Sequence, residues 1–443
     1  MRIGIIGAGF TGLSAAYHLQ KKGYHVTVFE KESYPGGLAI GFKDKKWDWT
    51  LEKHYHHWFT NDNSVLNLAK EIGHKILIKR PKTSVYVDGK IFQFDSPRQV
   101  LLFPKLSVVD RIRMGIVIGL LKFNPIWKPL EKINSTTFLP KTMGRRGYSL
   151  IWEPLFRNKF GPHADDVSLA WFWARIVKRT PSLAYPQGGF LNFANHLVRE
   201  IENQGGKVLF ETDVIEISSN KKPQIKFARE NLVRSPRDTF DTRGTLDTSI
   251  EDFDAVIVTL PSFLFFKLAP SLPENYKRKF ARLKGLGATN LMLKLKKPFL
   301  TDGTFWLNVC DPRSPIMAVV EHTNFMDAKF YNNEHLVYLG NYLPADSERF
   351  MMSKEETLKL FDPFLTKINP NYHKFLLGYE LFKTPFAQPI IPTNYSKMIP
   401  PMNTPFPNIY LANIEQVYPW DRGTNYAVEL GEKIAKMISE GKV

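Results

Sequence analysis

Three glycines near the amino terminus have the spacing of a loop that binds phosphate groups. Gly7, Gly9 and Gly12 form the pattern G-x-G-x-x-G, with Phe10 and Thr11 between the last two. The first glycine of such a loop permits a tight turn, the second lets the backbone approach a pyrophosphate, and the third lets a helix pack closely against a strand. The N–H groups and the dipole at the start of that helix attract the phosphates. The pattern therefore predicts that these five residues hold a dinucleotide.

The elements around this loop are those that such a site needs. The apolar run 2–6 predicts a buried strand before the loop, a helix follows, and residues 25–29 predict a second parallel strand. The second strand ends at Glu30, 18 residues after Gly12. A carboxylate there accepts hydrogen bonds from an adenosine ribose, whereas a neutral or basic residue would suit a 2′-phosphate. Strand, loop, helix, strand and acid in this order argue against a non-nucleotide interpretation.

A pair of glycines beyond the acid distinguishes between dinucleotides. Lys31 begins a segment K-E-S-Y-P-G-G-L, which contains Gly36, Gly37 and Leu38. The whole stretch 3–38 resembles the extended dinucleotide-binding motif of the flavin amine oxidase superfamily, which includes monoamine oxidases, protoporphyrinogen oxidases, phytoene desaturases and UDP-galactopyranose mutases. The resemblance implies FAD as the cofactor, with Lys31, Gly36, Gly37 and Leu38 beside its pyrophosphate and ribityl chain. An ordinary loop turn is the alternative for the glycine pair alone.

Two later blocks occur in the order in which this family returns to its FAD-binding domain. The first is a Y-P-Q-G-G helix start at 185–189 with a strand-like run to residue 217, where the resemblance implies that the backbone of Val214 meets the adenine. The second is a strand at 408–411 followed by a terminal helix. Asn413 stands where the family often has Gly-Asp, and a polar contact to pyrophosphate or ribityl is expected there. The resemblance implies further FAD contacts at the start of the terminal helix, from Gly423, Thr424, Asn425 and Tyr426.

The resemblance implies an α/β fold class in two parts. The first is a Rossmann-like FAD-binding domain with a central parallel sheet and a β-meander, and the second is a discontinuous α+β substrate-binding domain. The expected FAD-binding segments are 1–81, 185–261 and 393–443, and the expected substrate-binding segments are 82–184 and 262–392. The single cysteine, Cys310, lies far from the segment that carries the flavin thioether in covalently flavinylated relatives, so non-covalent FAD is expected.

Histidines and a carboxylate outside these motifs are the catalytic candidates. The segment 52–57 has three histidines in four residues, but adjacent side chains point in different directions and no further ligand pattern accompanies them, so no metal site is expected. His56 or His57 is expected beside the flavin, to donate a hydrogen bond or move a proton, with packed or solvated histidines as the alternative. Glu321 and His322 follow an apolar strand and are candidates for acid–base catalysis, with a structural role as the alternative.

Basic residues suggest further binding roles. Family members that act on amines use a lysine near the flavin, and Lys294, Lys296 and Lys297 lie near the corresponding chain distance. A basic, aromatic region at 145–161 is expected either to hold an anionic group or to be a solvated surface. The apolar segment 100–123 is interpreted as a buried helix of the substrate domain, with a helix lying on an anionic membrane as the alternative.

Composition limits the partners. The formal net charge of +17 is compatible with nucleic acid, an anionic membrane or an acidic substrate. The basic residues are scattered and no nucleic-acid-binding motif accompanies them, so a nucleic-acid partner is not expected. The first strand begins at residue 2 and no apolar run is long enough to span a bilayer, so a cytoplasmic protein, soluble or peripherally bound to a membrane, is expected.

The resemblance implies a FAD-dependent oxidoreductase. Its expected reaction passes a hydride, or its equivalent, from a C–N or C–C unit of a small-molecule or lipophilic substrate to flavin N5. One alternative is a flavoenzyme like the UDP-galactopyranose mutases, which acts on a nucleotide-sugar without net redox change. A second is a non-catalytic binding protein like the Rab GDP-dissociation inhibitors, against which the intact glycine motif argues. The substrate, the electron acceptor and the oligomeric state are left open.

Overall fold

The computed structural model describes residues 1–230 and 246–441, which form several sheets with helices packed around them. The part of the predicted β-meander at 231–245 lies outside the described residues. In chain order the strands are β1 Arg2–Ile6, β2 His25–Phe29, β3 Gly41–Phe42, β4 Leu51–Glu52, β5 Trp58–Phe59, β6 Ile76–Lys79, β7 Lys82–Val87, β8 Lys90–Gln93, β9 Leu183–Pro186, β10 Lys207–Leu209, β11 Thr212–Ser219, β12 Pro223–Glu230, β13 Leu246–Asp252, β14 Ala255–Val258, β15 Gly285–Leu295, β16 Thr304–Val309, β17 Ala318–Glu321, β18 His335–Leu343, β19 Leu376–Pro389 and β20 Ile409–Leu411. The α-helices are α1 Phe10–Gln20, α2 Asn63–Glu71, α3 Pro97–Leu101, α4 Val108–Phe123, α5 Ser135–Met143, α6 Arg145–Gly147, α7 Glu153–Phe160, α8 Leu169–Lys178, α9 Phe190–Asn203, α10 Ser262–Leu268, α11 Glu274–Phe280, α12 Glu348–Met351, α13 Lys354–Ile368, α14 Tyr372–Phe375 and α15 Thr424–Ser439.

The strand before the glycine loop lies at the centre of a parallel sheet. Its strands follow the order β10-β2-β1-β14-β20, and every neighbouring pair is parallel. Helix α1 packs against α9 and α15, and α15 comes closest at Gly431, where an added Cβ would overlap with the carbonyl oxygen of Thr11. The predicted Rossmann-like parallel sheet is confirmed, and its strands come from the segments expected to bind FAD.

The expected β-meander is confirmed as the antiparallel sheet β11-β12-β13. The segment after it differs from the expected domain division. Phe265 and Ala269 of α10 are buried in one hydrophobic cluster with Ile6 and Val256 of the parallel sheet. Residues 262–280 therefore pack with the nucleotide-binding sheet because their apolar side chains cover it, although the sequence assigned them to the substrate domain.

The second large sheet is mixed and is built mainly from the segments expected to bind the substrate. Its strand order is β19-β15-β18-β17-β16-β7-β8, with β16 and β7 parallel and the other pairs antiparallel. Met292, Phe305 and Tyr338 of this sheet share a buried cluster with Phe10 and Phe193 of the first part. One continuous apolar core therefore fixes the mixed sheet relative to the glycine loop.

Helix α4 is not the buried helix that the sequence predicted. The hydroxyl of Ser107 caps it by accepting a hydrogen bond from the backbone N–H of Asp110 at 3.1 Å. Only Met114 and Leu121 of the helix are buried. Several of its large apolar side chains are exposed, namely Val108, Val109, Ile112, Ile116, Leu120 and Phe123. Among the described residues, no helix is long and apolar enough to cross a membrane.

Candidate active site

The glycine loop and the glycine pair meet backbone to backbone. Gly7 and Gly36 have φ angles of +102° and +128°, in a region that residues with a side chain rarely adopt. A Cβ on Gly12 would overlap with the carbonyl oxygen of Gly7, and a Cβ on Gly37 would lie 2.9 Å from Cα of Gly9. A side chain at Gly12 would displace α1 from the turn, and a side chain at Gly37 would push the glycine pair away from the glycine loop, so glycine is required at these two positions.

Glu30 braces this arrangement from the end of β2. Its Oε2 accepts a hydrogen bond from the backbone N–H of Ala8 at 2.8 Å, and its Oε1 accepts one from Glu32 at 3.0 Å. The side chain is nearly buried, and burial raises the pKa of its carboxyl above the ordinary value. Each carboxylate oxygen can accept more than one hydrogen bond. The predicted ribose contact therefore stays open to Glu30 in addition to its role in holding the loop.

The other predicted residues of the first block differ in their exposure. The Phe10 side chain is buried and its ring stacks on Phe193, with centroids 5.6 Å apart. Lys31 is exposed at the surface, whereas Leu38 lines an internal cavity. Thr11 lies in the first turn of α1, whose start at Gly9 has no side-chain cap. The N–H groups of that turn are therefore available to an anionic ligand.

Val214 and Asn413 occupy the ends of neighbouring elements. Val214 is buried on β11, just before an irregularity in the pairing with β12. Asn413 follows β20, and its amide is used within the protein. Its Nδ2 donates to the carbonyl oxygen of Leu260 at 3.0 Å, and its Oδ1 accepts from the N–H of Glu415 at 3.1 Å. Its backbone is engaged as well, because its N–H donates to Oε1 of Gln416 at 2.8 Å and its carbonyl oxygen accepts from the N–H of Gln416 at 3.1 Å.

The start of α15 is tied to the segment around β5. The hydroxyl of Thr424 accepts a hydrogen bond from Nε1 of Trp58 at 2.6 Å. Oδ1 of Asn425 accepts one from the backbone N–H of Val65 at 3.1 Å. Gly423 precedes the helix in an extended conformation, without a side-chain cap, and Tyr426 is largely buried. The first-turn N–H groups of α15 are thus held in place and remain available to a ligand with negative charge.

These residues fit FAD. Two uncapped helix starts and a glycine-lined backbone cradle suit a pyrophosphate and an electron-rich ring, because N–H groups and helix dipoles favour negative charge. In addition, Nδ1 of His57 is buried without a hydrogen-bond partner among the described residues. Buried polar atoms in proteins are nearly always paired, so this nitrogen marks a place for a polar ligand atom.

A cavity lies between the two parts of the molecule. It joins the end of the glycine-pair segment, the histidine segment 52–57 and the mixed sheet. The residues that line it are Leu38, His54, Tyr55, His56, Ala288, Asn290, Asn341, Tyr342, Ala387 and Arg422. The cavity therefore contains one of the two histidines that the sequence singled out, together with an arginine that it did not.

The histidines at this cavity are held neutral. Nδ1 of His56 lies 2.6 Å from the carbonyl oxygen of His54. Because a carbonyl only accepts, Nδ1 carries the hydrogen and Nε2 is left as an acceptor. Burial lowers the pKa of His56 to about 4 and that of His54 and His57 to about 3. These imidazoles are therefore neutral near pH 7, and Nε2 of His56 can accept a hydrogen bond or a proton.

The ring of His54 is used within the protein. Its Nδ1 pairs with Nδ2 of Asn290 at 2.5 Å, and its Nε2 pairs with the hydroxyl of Thr384 at 2.8 Å. His54 therefore fixes the histidine segment against the mixed sheet.

Throughout the described residues, no three His, Cys, Asp or Glu side chains come close enough to hold a metal ion.

Glu321 and His322 do not reach the cavity, so the expectation that they face a ligand is not met. The carboxylate of Glu321 is fully buried and accepts hydrogen bonds from the backbone N–H groups of Phe299 and Leu300 at 3.1 and 2.5 Å. Nε2 of His322 pairs with the hydroxyl of Tyr331 at 2.8 Å, and burial lowers the pKa of His322 to about 3. Both have a structural role, because their polar atoms are satisfied inside the substrate part.

A group of basic side chains surrounds Asp421 behind the cavity wall. Arg175 hydrogen-bonds with Asp421, and Nζ of Lys159 lies 3.6 Å from that carboxylate. Burial alone would raise the pKa of Asp421, but Lys159 and Arg175 lower it well below its usual range. Burial and the neighbouring charge of Arg175 together lower the pKa of Arg179 to about 9. Together with Arg422, this cation cluster has more positive charge than one carboxylate balances.

Arg422 connects the cation cluster to the cavity. Its Nε donates to Oε1 of Gln388 at 3.0 Å, and its guanidinium hydrogen-bonds with the hydroxyl of Tyr342. The guanidinium also lies 5.0 Å from the centre of the Tyr342 ring. A guanidinium offers several donors in a fixed plane and binds carboxylate or phosphate well. Arg422 therefore presents positive charge at the cavity.

Sequence reasoning missed this cluster because its members come from three separate segments. The basic region at 145–161 was noticed, and Lys159 belongs to it, but Arg145 and Arg146 are exposed. The pair Asp421-Arg422 directly before the glycine that starts α15 was the available signal. The lysines considered for amine chemistry do not line the cavity. Lys294, for example, hydrogen-bonds with Asp44 at 2.8 Å.

A family profile, two characterised relatives and a solved structure all match this chain. The profile of the family described as "Flavin containing amine oxidoreductase" matches residues 10–427. The chain is 26% identical over 182 residues to a zeta-carotene desaturase of Arabidopsis thaliana, which covers 35% of this chain and 32% of that protein. It is 22% identical over 303 residues to the coproporphyrinogen III oxidase of Staphylococcus aureus, which covers 59% of this chain and 61% of that protein. The chain thus spans less than two thirds of both relatives.

An oxidoreductase structure from Methanosarcina mazei matches with a TM-score of 0.73 at 20% identity, over 99% of this chain and 100% of that one, and shows the same fold.

Proposed function

Because this chain belongs to the family of flavin-containing amine oxidoreductases, with FAD as its cofactor, we propose that it removes hydrogen from a C–C unit of a neutral or anionic substrate. Oxidation of a C–N unit is the alternative within the same chemistry. FAD, when bound, accepts a hydride or its equivalent. The observation that carries the choice is the position of Arg422 and the cation cluster at the cavity.

The charge at the cavity argues against a cationic amine. Arg175, Arg179 and Arg422 together carry more positive charge than Asp421 balances, and such a field repels an ammonium group. An anionic group of a substrate would instead gain a charge-assisted hydrogen bond from Arg422. The similarity to a carotene desaturase supports a C–C substrate as well.

The histidine segment supplies polar groups without charge. The neutral imidazole of His56 has an acceptor nitrogen at the cavity, where it can orient a substrate or take up a proton. Tyr342 is held by Arg422 on the opposite lining. The apolar residues Leu38, Ala288 and Ala387 complete a lining that excludes water from a lipophilic substrate.

Anaerobic mixing of the FAD-loaded protein with three substrate classes tests this proposal. The panel contains an alkylamine, a neutral polyene and a carboxylate-bearing tetrapyrrole precursor, and the readout is loss of oxidised-flavin absorbance. We expect bleaching by the polyene or the carboxylated compound and not by the amine. Bleaching by the amine alone would reject the C–C assignment and favour C–N oxidation.

A matched pair of arginine variants tests the role of the cavity charge. Arg422→Gln is expected to raise KM for a carboxylated substrate by about tenfold, because one charge-assisted hydrogen bond is lost. Arg146→Gln removes the same charge from an exposed position and is expected to leave KM unchanged. Equal effects of the two variants would mean that Arg422 does not contact the substrate.

The same cavity charge also suits the phosphates of a nucleotide-sugar, which keeps the mutase-like alternative as a second candidate. Arg422 and Arg179 would then bind phosphate oxygens. In that case turnover would require prior reduction of the flavin and would consume no electron acceptor. Turnover by the oxidised protein with net flavin reduction would exclude it.

A further inference from the structure

An exposed apolar surface runs along α4 and its neighbours. The large apolar side chains of this surface, here called the α4 face, are Leu101, Leu102, Val108, Val109, Ile112, Ile116, Leu120, Phe123 and Ile126. Leu120 is 68% exposed and Phe123 is 86% exposed. Single exposed apolar residues are common on soluble proteins, but a contiguous group of this size marks an interaction surface.

The helical geometry of α4 concentrates these side chains on one side. At about 3.6 residues per turn, positions 108, 109, 112, 116, 120 and 123 fall within about 120° of the circumference. Met114 and Leu121, which are buried, lie on the opposite side. Added Cβ atoms at Gly115 and Gly119 would meet nothing within 4 Å, so none of the described residues covers the helix there.

Basic residues border both edges of the α4 face. Arg111 and Lys122 lie beyond one edge of the apolar arc and Arg113 lies beyond the other. Their hydrogen bonds go to backbone carbonyl oxygens. Within the described residues, none of the three forms an ion pair with a carboxylate. Lys122 uses its three ammonium N–H groups on carbonyl oxygens, whereas Arg111 and Arg113 keep guanidinium N–H groups for an external anion.

The wider segment around α4 also has a net positive charge. Residues 97–128 contain six lysines and arginines, at 98, 105, 111, 113, 122 and 128, against one carboxylate, Asp110. Lys105 and Lys128 are paired with Asp88 and Glu131, whereas Arg98, Arg111 and Arg113 form no ion pair within the described residues. An apolar stripe bordered by such unpaired cations matches a membrane interface with anionic lipid, where apolar side chains enter the acyl boundary and cations meet the headgroups. A second copy of this chain would bring equally basic borders and be repelled, given the net charge of +17.

We propose that the α4 face docks the protein on the surface of an anionic lipid membrane, with α4 lying in the plane of the interface. The helix is firmly mounted for this purpose. Nζ of Lys122 donates to the carbonyl oxygens of Ile176, Val177 and Arg179 at the end of α8, at 2.8 to 3.0 Å. Because α8 also carries Arg175 of the cation cluster, docking would hold the substrate part of the molecule against the lipid.

Co-sedimentation with vesicles tests the proposal on the full FAD-loaded chain. The vesicles are phosphatidylcholine alone, or phosphatidylcholine with about one third phosphatidylglycerol. We expect binding to the anionic vesicles that weakens with added salt, since screening reduces the electrostatic part. Ile116→Glu/Leu120→Glu is expected to lower the partition coefficient at least about tenfold, because two charges would have to enter the apolar layer.

A matched control separates this effect from added negative charge. Ile78→Glu/Met351→Glu changes two exposed apolar residues on other elements, at 61% and 70% exposure, and is expected to retain vesicle binding. Leu120→Ser/Phe123→Ser serves as a milder test if the glutamate variant loses its flavin. The proposal is overturned if the unmodified protein ignores anionic vesicles, or if the α4 variants bind as well as the control. It is also overturned if light scattering shows that the α4 variants dissociate a dimer while vesicle binding is unaffected.

Discussion

At Gly9, the addition of a single methyl group should disturb cofactor binding without disturbing the packing of the protein. A Cβ added there would have only Gly37 as a neighbour, with the Cα at 3.6 Å, which is an ordinary van der Waals distance. Gly9→Ala should therefore fold normally. The methyl group would occupy the side on which a pyrophosphate approaches the loop, so FAD affinity is expected to fall at least about tenfold, or ~1.4 kcal/mol. Titration of the apo-protein with FAD, followed by flavin fluorescence, measures this change.

Gly378→Ala is the matched control, since an added Cβ on Gly378 meets nothing within 4 Å and its strand, β19, lies outside the loop. It should bind FAD as the unmodified protein does. Gly9→Val, with a larger side chain, is expected to purify without flavin. Full flavin absorbance in the valine variant would contradict the assignment of this loop to the pyrophosphate.

The sequence predicted individual residues correctly where the conformation of the backbone allows only one residue type. Gly7, Gly12 and Gly37 are constrained by φ or by close approach, and such constraints follow from local spacing. Arg175 and Arg422 were not predictable, because their proximity arises from packing between segments separated by more than two hundred residues. Glu321 was misassigned because a polar residue at a strand end can hold backbone N–H groups of a neighbouring loop as easily as face a ligand.

At the scale of elements, the contact between α1 and α15 joins the glycine loop to the carboxy-terminal helix. A side chain at Gly431 would overlap with the carbonyl oxygen of Thr11 and lie within 2.7 Å of Cβ of Ser14. Gly431→Val is expected to separate the helices, lower the free energy of unfolding by about 3 kcal/mol, and weaken FAD binding, because both helix starts would move. Urea denaturation and flavin retention on gel filtration measure the two effects.

Glu432→Val places the same side chain on the exposed side of α15 and should change unfolding by less than about 1 kcal/mol. If Gly431→Val were equally harmless, the close helix contact would not support the site.

The sequence predicted these two helices from their apolar spacing. It did not predict that α4 would be exposed, because an apolar run has the same pattern whether protein or lipid covers it.

At the scale of the whole molecule, buried titratable groups make stability depend on pH. Burial lowers the pKa of five histidines to between about 3 and about 4, namely His54, His56, His57, His74 and His322. In the unfolded chain these groups take up protons near pH 6.5, so the unfolded state binds more protons between about pH 6.5 and 4. Their contribution to stability is therefore fully present above pH 6.5 and is lost as the pH falls.

Burial raises the pKa of four carboxyl groups, Glu30, Glu52, Asp62 and Glu415, and these act in the opposite direction. Burial raises the pKa of Glu52 to about 7 and that of Asp62 to about 6, so the folded state keeps protons that the unfolded state releases. Their contribution grows as the pH falls toward the unfolded values. The pKa values of His18 and His196 are lowered as well, so seven histidines oppose four acids and leave a net excess of three. Stability is therefore expected to fall by up to about 4 kcal/mol per pH unit below pH 6. Thermal unfolding of the FAD-loaded protein between pH 7 and 5 should show a steadily falling midpoint.

Two substitutions of buried titratable residues outside the cation cluster test the origin of this dependence of stability on pH. His322→Gln removes one of the depressed imidazoles and can keep a hydrogen bond to Tyr331, so the fall in stability should become shallower by up to about 1.4 kcal/mol per pH unit. Glu52→Gln removes an opposing group while its amide oxygen can still accept from the N–H of Phe190, so the fall should become steeper. Opposite changes of slope follow only if the buried groups carry the pH dependence. A common change in both variants would instead mean that surface charge dominates, as the repulsion expected at a net charge of +17 would allow. A midpoint that rises from pH 7 to 5 would contradict the assignment of the slope to the buried histidines.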